Sequence, residues 1–92
     1  MYTIKARQKT NAKKLNVEIK PSTNKKKKID VYKNDKKIAS IGASDYNDYA
    51  SYIETKGKEY ADNRRRLYKI RHNKTRKVIG SNSYYADKIL WD

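Results

Sequence analysis

Residues 29–41 read IDVYKNDKKIASI, and this stretch decides the fold. Ile29 and Val31 alternate with Asp30 and Tyr32, the period-two pattern of a half-buried strand. Asn34 and Asp35 are residue types that tolerate left-handed backbone, and the run KKIASI returns with Ile38 inside it. Together they predict a β-hairpin turning at 34–35. Upstream, LNVEIK (15–20) alternates again, with Leu15, Val17 and Ile19 on one face, and Tyr2 and Ile4 alternate with Thr3 and Lys5. Both stretches are read as strands. Pro21 ends the second, and PSTNKKKK (21–28) is expected to be a flexible Lys-rich loop whose lysines face water or an anion.

Downstream the period changes. After Gly42, Ser44 and Asp45 are capping types, and Tyr46, Tyr49 and Ile53 recur at helical spacing, so a short helix is expected to break near Gly57. From Lys58 to His72 the pattern is helical again, with Tyr60, Leu67 and Ile70 able to share a face, and acids in the first turn. Gly80 to Ser83 make a break, and YYADKILW is expected to form a last short helix. The reading is α+β, one domain over 1–92. A small antiparallel meander of three or four strands (1–41, mainly β) is covered by two or three short helices (42–92, mainly α). Tyr49, Leu67, Tyr68, Ile70 and Trp91 are the expected core of the helical part.

The charge is the strongest clue to function. The chain carries 24 basic and 10 acidic residues, a net charge of +14. Residues 1–40 hold 13 Lys or Arg against 3 acids, and residues 41–92 hold 11 against 7. Within 63–77, NRRRLYKIRHNKTRK, eight of fifteen positions are basic and none is acidic. A soluble small domain needs a net charge of only about 2 to 8, so this excess is expected to meet a polyanion or an acidic protein surface. The candidate contact residues are Arg64, Arg65, Arg66, Lys69, Arg71, Lys74, Arg76 and Lys77, with Lys25, Lys26, Lys27 and Lys28. On one helix the three consecutive arginines span about 200°. That spread implies a helix embraced from more than one side, by phosphates, by acidic protein neighbours, or partly by the protein's own carboxylates. Arginine pairs bidentately with phosphate and carboxylate alike.

Other chemistry is poorly supplied. There is one histidine, His72, with no cysteine and no serine in a nucleophile motif, so neither catalysis nor a metal or other cofactor is expected. Asp45 and Asp48 read as capping groups rather than cation ligands. With nine tyrosines and no phenylalanine, tyrosine is the default core residue here, and packing is expected ahead of base stacking for any one of them. No apolar run reaches about 18 residues, and MYTIKARQKT lacks a signal-peptide core, so no membrane association or export is expected.

The segment IGASDYNDYASYIE, with LYKIRHNK and the terminal ILW, resembles a family of small basic proteins encoded by large double-stranded DNA viruses, both giant eukaryotic viruses and some phages. The residues that carry the resemblance are Gly42, Ala43, Ser44, Tyr46, Asp48, Tyr49, Tyr68, Arg71, His72, Leu90 and Trp91. It covers roughly 29–92, with Ile41 where the family usually has an aromatic and a chain that stops after Trp91 where relatives continue. No activity is established for that family, so the resemblance implies a setting: the virion, and the host-cell interior during infection. The expected role is a non-enzymatic virion component, a minor capsid or internal basic protein that bridges shell or other virion proteins, the packaged genome, or both. The alternative is a sequence-nonspecific DNA- or RNA-binding protein of replication or packaging. Neither role implies a small-molecule substrate.

Overall fold

Asn34 and Asp35 both take left-handed backbone, φ 53° and 63°, and form a two-residue turn between the paired Lys33 and Lys36. This is the hairpin that the sequence predicts. It joins β2 (Lys27–Lys33) to β3 (Lys36–Ala43), and β1 (Glu18–Pro21) adds antiparallel to the other side of β2. In the computed structural model, which describes residues 2–92, the chain is α+β. The three-stranded meander is flanked by α1 (Ala6–Lys14), α2 (Tyr49–Lys56), α3 (Lys58–Arg71) and α4 (Asn82–Tyr85), which runs on as a wider π-helical turn over Ala86–Leu90.

β2 is the central strand and is buried on both faces. Ile29 and Val31 join Val17, Ala39 and Ile41 in the aliphatic core, while Asp30 on the opposite face accepts hydrogen bonds from the Ser22 and Ser40 hydroxyls, each 2.7 Å. Ala12 of α1, and Ile89 and Leu90 of the π-helical turn, complete that core. The cover of the sheet is therefore the first helix and the last segment. α2 and α3 stand beside them as an antiparallel pair hinged at Gly57, whose φ of 90° an L side chain would strain.

Two expectations are corrected. The strand expected at the N-terminus is an extended lead-in to α1, so 1–41 is not mainly β. α1 buries Gln8, Asn11 and Ala12: the Gln8 side chain accepts from the Lys5 amide and donates to the Tyr2 hydroxyl, and the Asn11 amide donates to the carbonyls of Ile89 and Asp92. A helix held by buried amides has no apolar stripe to betray it. Second, the lysine run is not all loop. Lys27 and Lys28 belong to β2, and Lys28 is buried.

Gly42, at φ 79°, sits where a Cβ would come within 2.9 Å of Leu90 Cδ1 and 3.1 Å of Lys28 Cδ. A glycine there lets β3 pass close beneath the last turn.

Candidate functional site

The end of β3, the loop after it and one face of α3 enclose a groove of about 470 Å³. Arg64, Tyr68 and Arg71 of α3 and His72 at its C-terminal cap follow at spacings of four, three and one, which place them on a common side. Gly42, Ala43, Tyr46, Asn47 and Asp48 form the opposite wall, with Lys28 beside them, and Ala86, Leu90 and Trp91 close the rest. Tyr52 of α2 joins the lining. Gly42, Ala43, Tyr46, Asp48, Tyr68, Arg71, His72, Leu90 and Trp91 of the three motif segments singled out in the sequence converge on this groove. Ser44 lies outside the lining, exposed, and its amide donates to the Lys26 carbonyl at 3.1 Å, tying the lysine loop to the groove's rim.

The rings form a ladder. Tyr60 meets Tyr52 at 5.5 Å between centroids, Tyr52 meets Trp91 at 6.2 Å, Trp91 stacks on Tyr68 at 4.5 Å and 10°, and Tyr68 meets His72 at 4.5 Å. Each such contact contributes about 0.5–1.5 kcal/mol beyond area burial. Burial, with the nearby Asp87 carboxylate, pushes the Tyr68 hydroxyl up to about 12, so it stays neutral at any physiological pH. Tyr46 stands apart: it is 73% exposed, and among the described residues it has no aromatic neighbour.

Beneath the groove lies a buried ion pair. Lys28 Nζ donates to Asp48 Oδ2 at 3.2 Å, the Tyr2 hydroxyl donates to the same oxygen, and the Ser51 amide donates to Oδ1 at 2.9 Å, which makes Asp48 the N-cap of α2 as well. Burial opposes the charge on Asp48, but the Tyr2 hydrogen bond, the Lys28 ammonium and the Ser51 amide outweigh it and hold the carboxyl below its usual range. The same carboxylate, with burial as the larger cause, drives the Tyr2 hydroxyl far up.

The sequence singled out twelve basic residues, and the fold sorts them. Four are engaged inside the protein. Lys28 pairs with Asp48. Arg65 lies 4.2 Å over the buried Tyr49 ring, opposite Arg7 at 4.9 Å, and reaches Asp62 at 3.4 Å. Lys69 bonds Asp92 at 2.7 Å and stands 3.1 Å from the buried Asp87, and Arg76 donates to the Lys69 carbonyl and approaches Asp87 at 3.7 Å. Asp87 has cations around it but no aligned donor on either oxygen.

The others remain outward. Arg64 lies 5.7 Å over Tyr52 at the groove, Arg71 is exposed there, and Arg66, Lys74 and Lys77 extend the charge along α3 and the loop beyond it. Lys25 and Lys26 are exposed in the loop, and Lys27 is half-buried. The expected core is corrected in turn. Tyr49 is fully buried, but Leu67, Tyr68 and Trp91 are half-buried and Ile70 is 64% exposed. The apolar positions of α3 do not cover the sheet.

Tyr52 is the aromatic residue of the groove that the sequence reading passes over. It falls between Tyr49 and Ile53 in the helical stripe, and its partners Tyr60, Arg64 and Trp91 all come from other elements, so no local spacing marks it. Among the described residues no three His, Cys, Asp or Glu side chains gather as a metal site, and no helix is long and apolar enough to cross a membrane. Comparison with protein-family models, with curated proteins and with solved structures found no match to this chain.

Proposed function

We propose that this chain is a non-enzymatic, sequence-nonspecific nucleic-acid-binding protein. The observation that carries the reading is that the fold leaves Arg64 and Arg71 at one aromatic groove, with exposed Lys26 tied through Ser44 to its rim, while it neutralises Arg65, Lys69 and Arg76 with its own carboxylates. A protein that needed cations only for solubility has no reason to gather them beside stacked rings. Phosphates are the anions that occur in rows beside flat apolar bases, and a cationic rim with an aromatic wall meets both features at once.

The resemblance supplies the setting: the particle of a large double-stranded DNA virus, or the host cell during infection. Within it, the same outward cations also suit a minor capsid protein that bridges shell proteins and genome. What favours that second reading is that α3 already holds carboxylates through Arg65 and Lys69, so its free arginines have the geometry to take a neighbour's.

The test is affinity for duplex DNA over a salt series. Log affinity is expected to fall linearly with log salt, at about −0.9 per phosphate neutralised. Arg71→Ala is expected to make that slope shallower by about one contact, while Arg65→Ala, an internal residue, leaves the slope alone and lowers stability. A salt-independent affinity, or no binding to either duplex or single-stranded nucleic acid, overturns the reading.

A further inference from the structure

We infer that the groove receives an unpaired nucleobase, so that the preferred ligand is a single strand of nucleic acid rather than a duplex. This inference rests on the nucleic-acid reading and narrows it. The groove is concave, and its volume of about 470 Å³ lies within the about 300–1,000 Å³ of clefts that enclose whole small ligands. A base locked in a duplex presents only its edge to a protein and cannot enter such a cleft; an unpaired base can be turned in. The walls match what a base requires. Tyr46 offers an exposed ring with no aromatic partner, and the ladder through Trp91, Tyr68 and His72 supplies an apolar flank already fixed in place by its own stacking. Preorganised rings lose little freedom when a base arrives.

Charge selects a strand over a free nucleotide. One nucleotide needs one or two cations, and Arg64 and Arg71 at the groove meet that need. Lys25, Lys26, Lys74 and Lys77 are exposed and lie beyond the lining, where they can meet phosphates only if the ligand continues past it. The reader is the base face and the phosphate, and no group in the lining is committed to the sugar. DNA and RNA strands of the same base are therefore expected to bind alike.

The chain contains its own probe. Trp91 is the sole tryptophan and lines the groove, so its fluorescence reports occupancy directly. The experiment titrates the full chain, at one salt concentration, with oligothymidine of about twelve nucleotides, within the range of single-strand site sizes, then with oligouridine, with a duplex of equal length and with thymidine monophosphate. The expected result is tighter binding of both single strands than of duplex, with Trp91 quenched only by the single strands, and no competition from the mononucleotide at matched concentration.

Tyr46→Ala, which removes a side chain exposed on the surface and so spares the fold, is expected to weaken single-strand binding by about 5- to 150-fold and to leave duplex binding unchanged. Equal affinity for strand and duplex, with Tyr46→Ala silent, overturns this inference and leaves the nucleic-acid reading standing. Tight mononucleotide binding with quenching also overturns it, and absence of binding to every probe overturns both.

Discussion

The sheet and the helix pair are built from different materials. The few aliphatic side chains of this chain are concentrated on the sheet, where Ile29, Val31, Ile41, Ile89 and Leu90 make a dry core. The α2–α3 pair is held by rings and cations instead: Tyr49 between two guanidinium groups, and a ladder from Tyr60 to His72. An aliphatic core is finished once it is closed. A wall of amphipathic rings stays half open, because each hydroxyl and each cationic neighbour wants contact with water or an anion. The difference teaches where to look for function in a chain poor in aliphatics. The region that is stable without a partner is the scaffold, and the region built from tyrosine and arginine is the surface that can still take one.

The joint between the two regions should be the most sensitive point. Asp48→Ala leaves Lys28 buried without its partner and uncaps α2 at once, and is expected to cost about 3–5 kcal/mol in urea unfolding. The same pair sets a pH dependence. Asp48 is held below its usual range, so its contribution is complete above the unfolded value of about 4 and is lost as pH falls through its own lower value. Asp30, lowered by its serine hydroxyls against the opposing effect of burial, adds to that acid loss. Unfolding midpoints measured from pH 7 to pH 2 should therefore fall on the acid side in the wild type, and Asp48→Ala should flatten the fall without removing it.

A sharper comparison uses one residue type in both regions. Ile29, fully buried in the sheet, is expected to cost about 2–5 kcal/mol when changed to alanine, as a cavity opens in the aliphatic core. Ile70, on the open side of α3, is expected to change stability by no more than about 0.5 kcal/mol on the same substitution. Comparable costs at the two sites in parallel denaturation curves would dissolve the distinction between scaffold and open wall.

The hairpin and the break at Gly57 were legible because local chemistry decides them: two residues with left-handed backbone, and a glycine between two helical patterns. α3 was legible in extent but not in orientation. Its periodicity placed Tyr60, Leu67 and Ile70 together, yet their common side is turned from the sheet, since the last segment had already taken that position with Ile89 and Leu90. α1 was illegible because its buried face is made of amides whose partners, Tyr2, Ile89 and Asp92, sit at both ends of the chain. The groove was half legible. Its residues stood out as separate fragments, but the pairing of Lys28 with Asp48, which takes one of the expected anion contacts into the interior, depends on a fold that no spacing reveals.

The wide turn at Ala86–Leu90 gives the last stretch of the chain an unusual dependence on counting. An α-helix advances about 100° per residue, and a turn closed to the fifth residue accommodates one position more than a regular turn. That added position lets Asp87, Ile89 and Leu90 all be buried in a single turn while Trp91 still arrives flat against Tyr68. Exchanging one aliphatic for another there leaves the geometry in place, whereas removing one residue shifts every later position by about 100° and swings the tryptophan about a quarter of the way round the axis. The segment is more exposed to a change in its length than to a change in its letters.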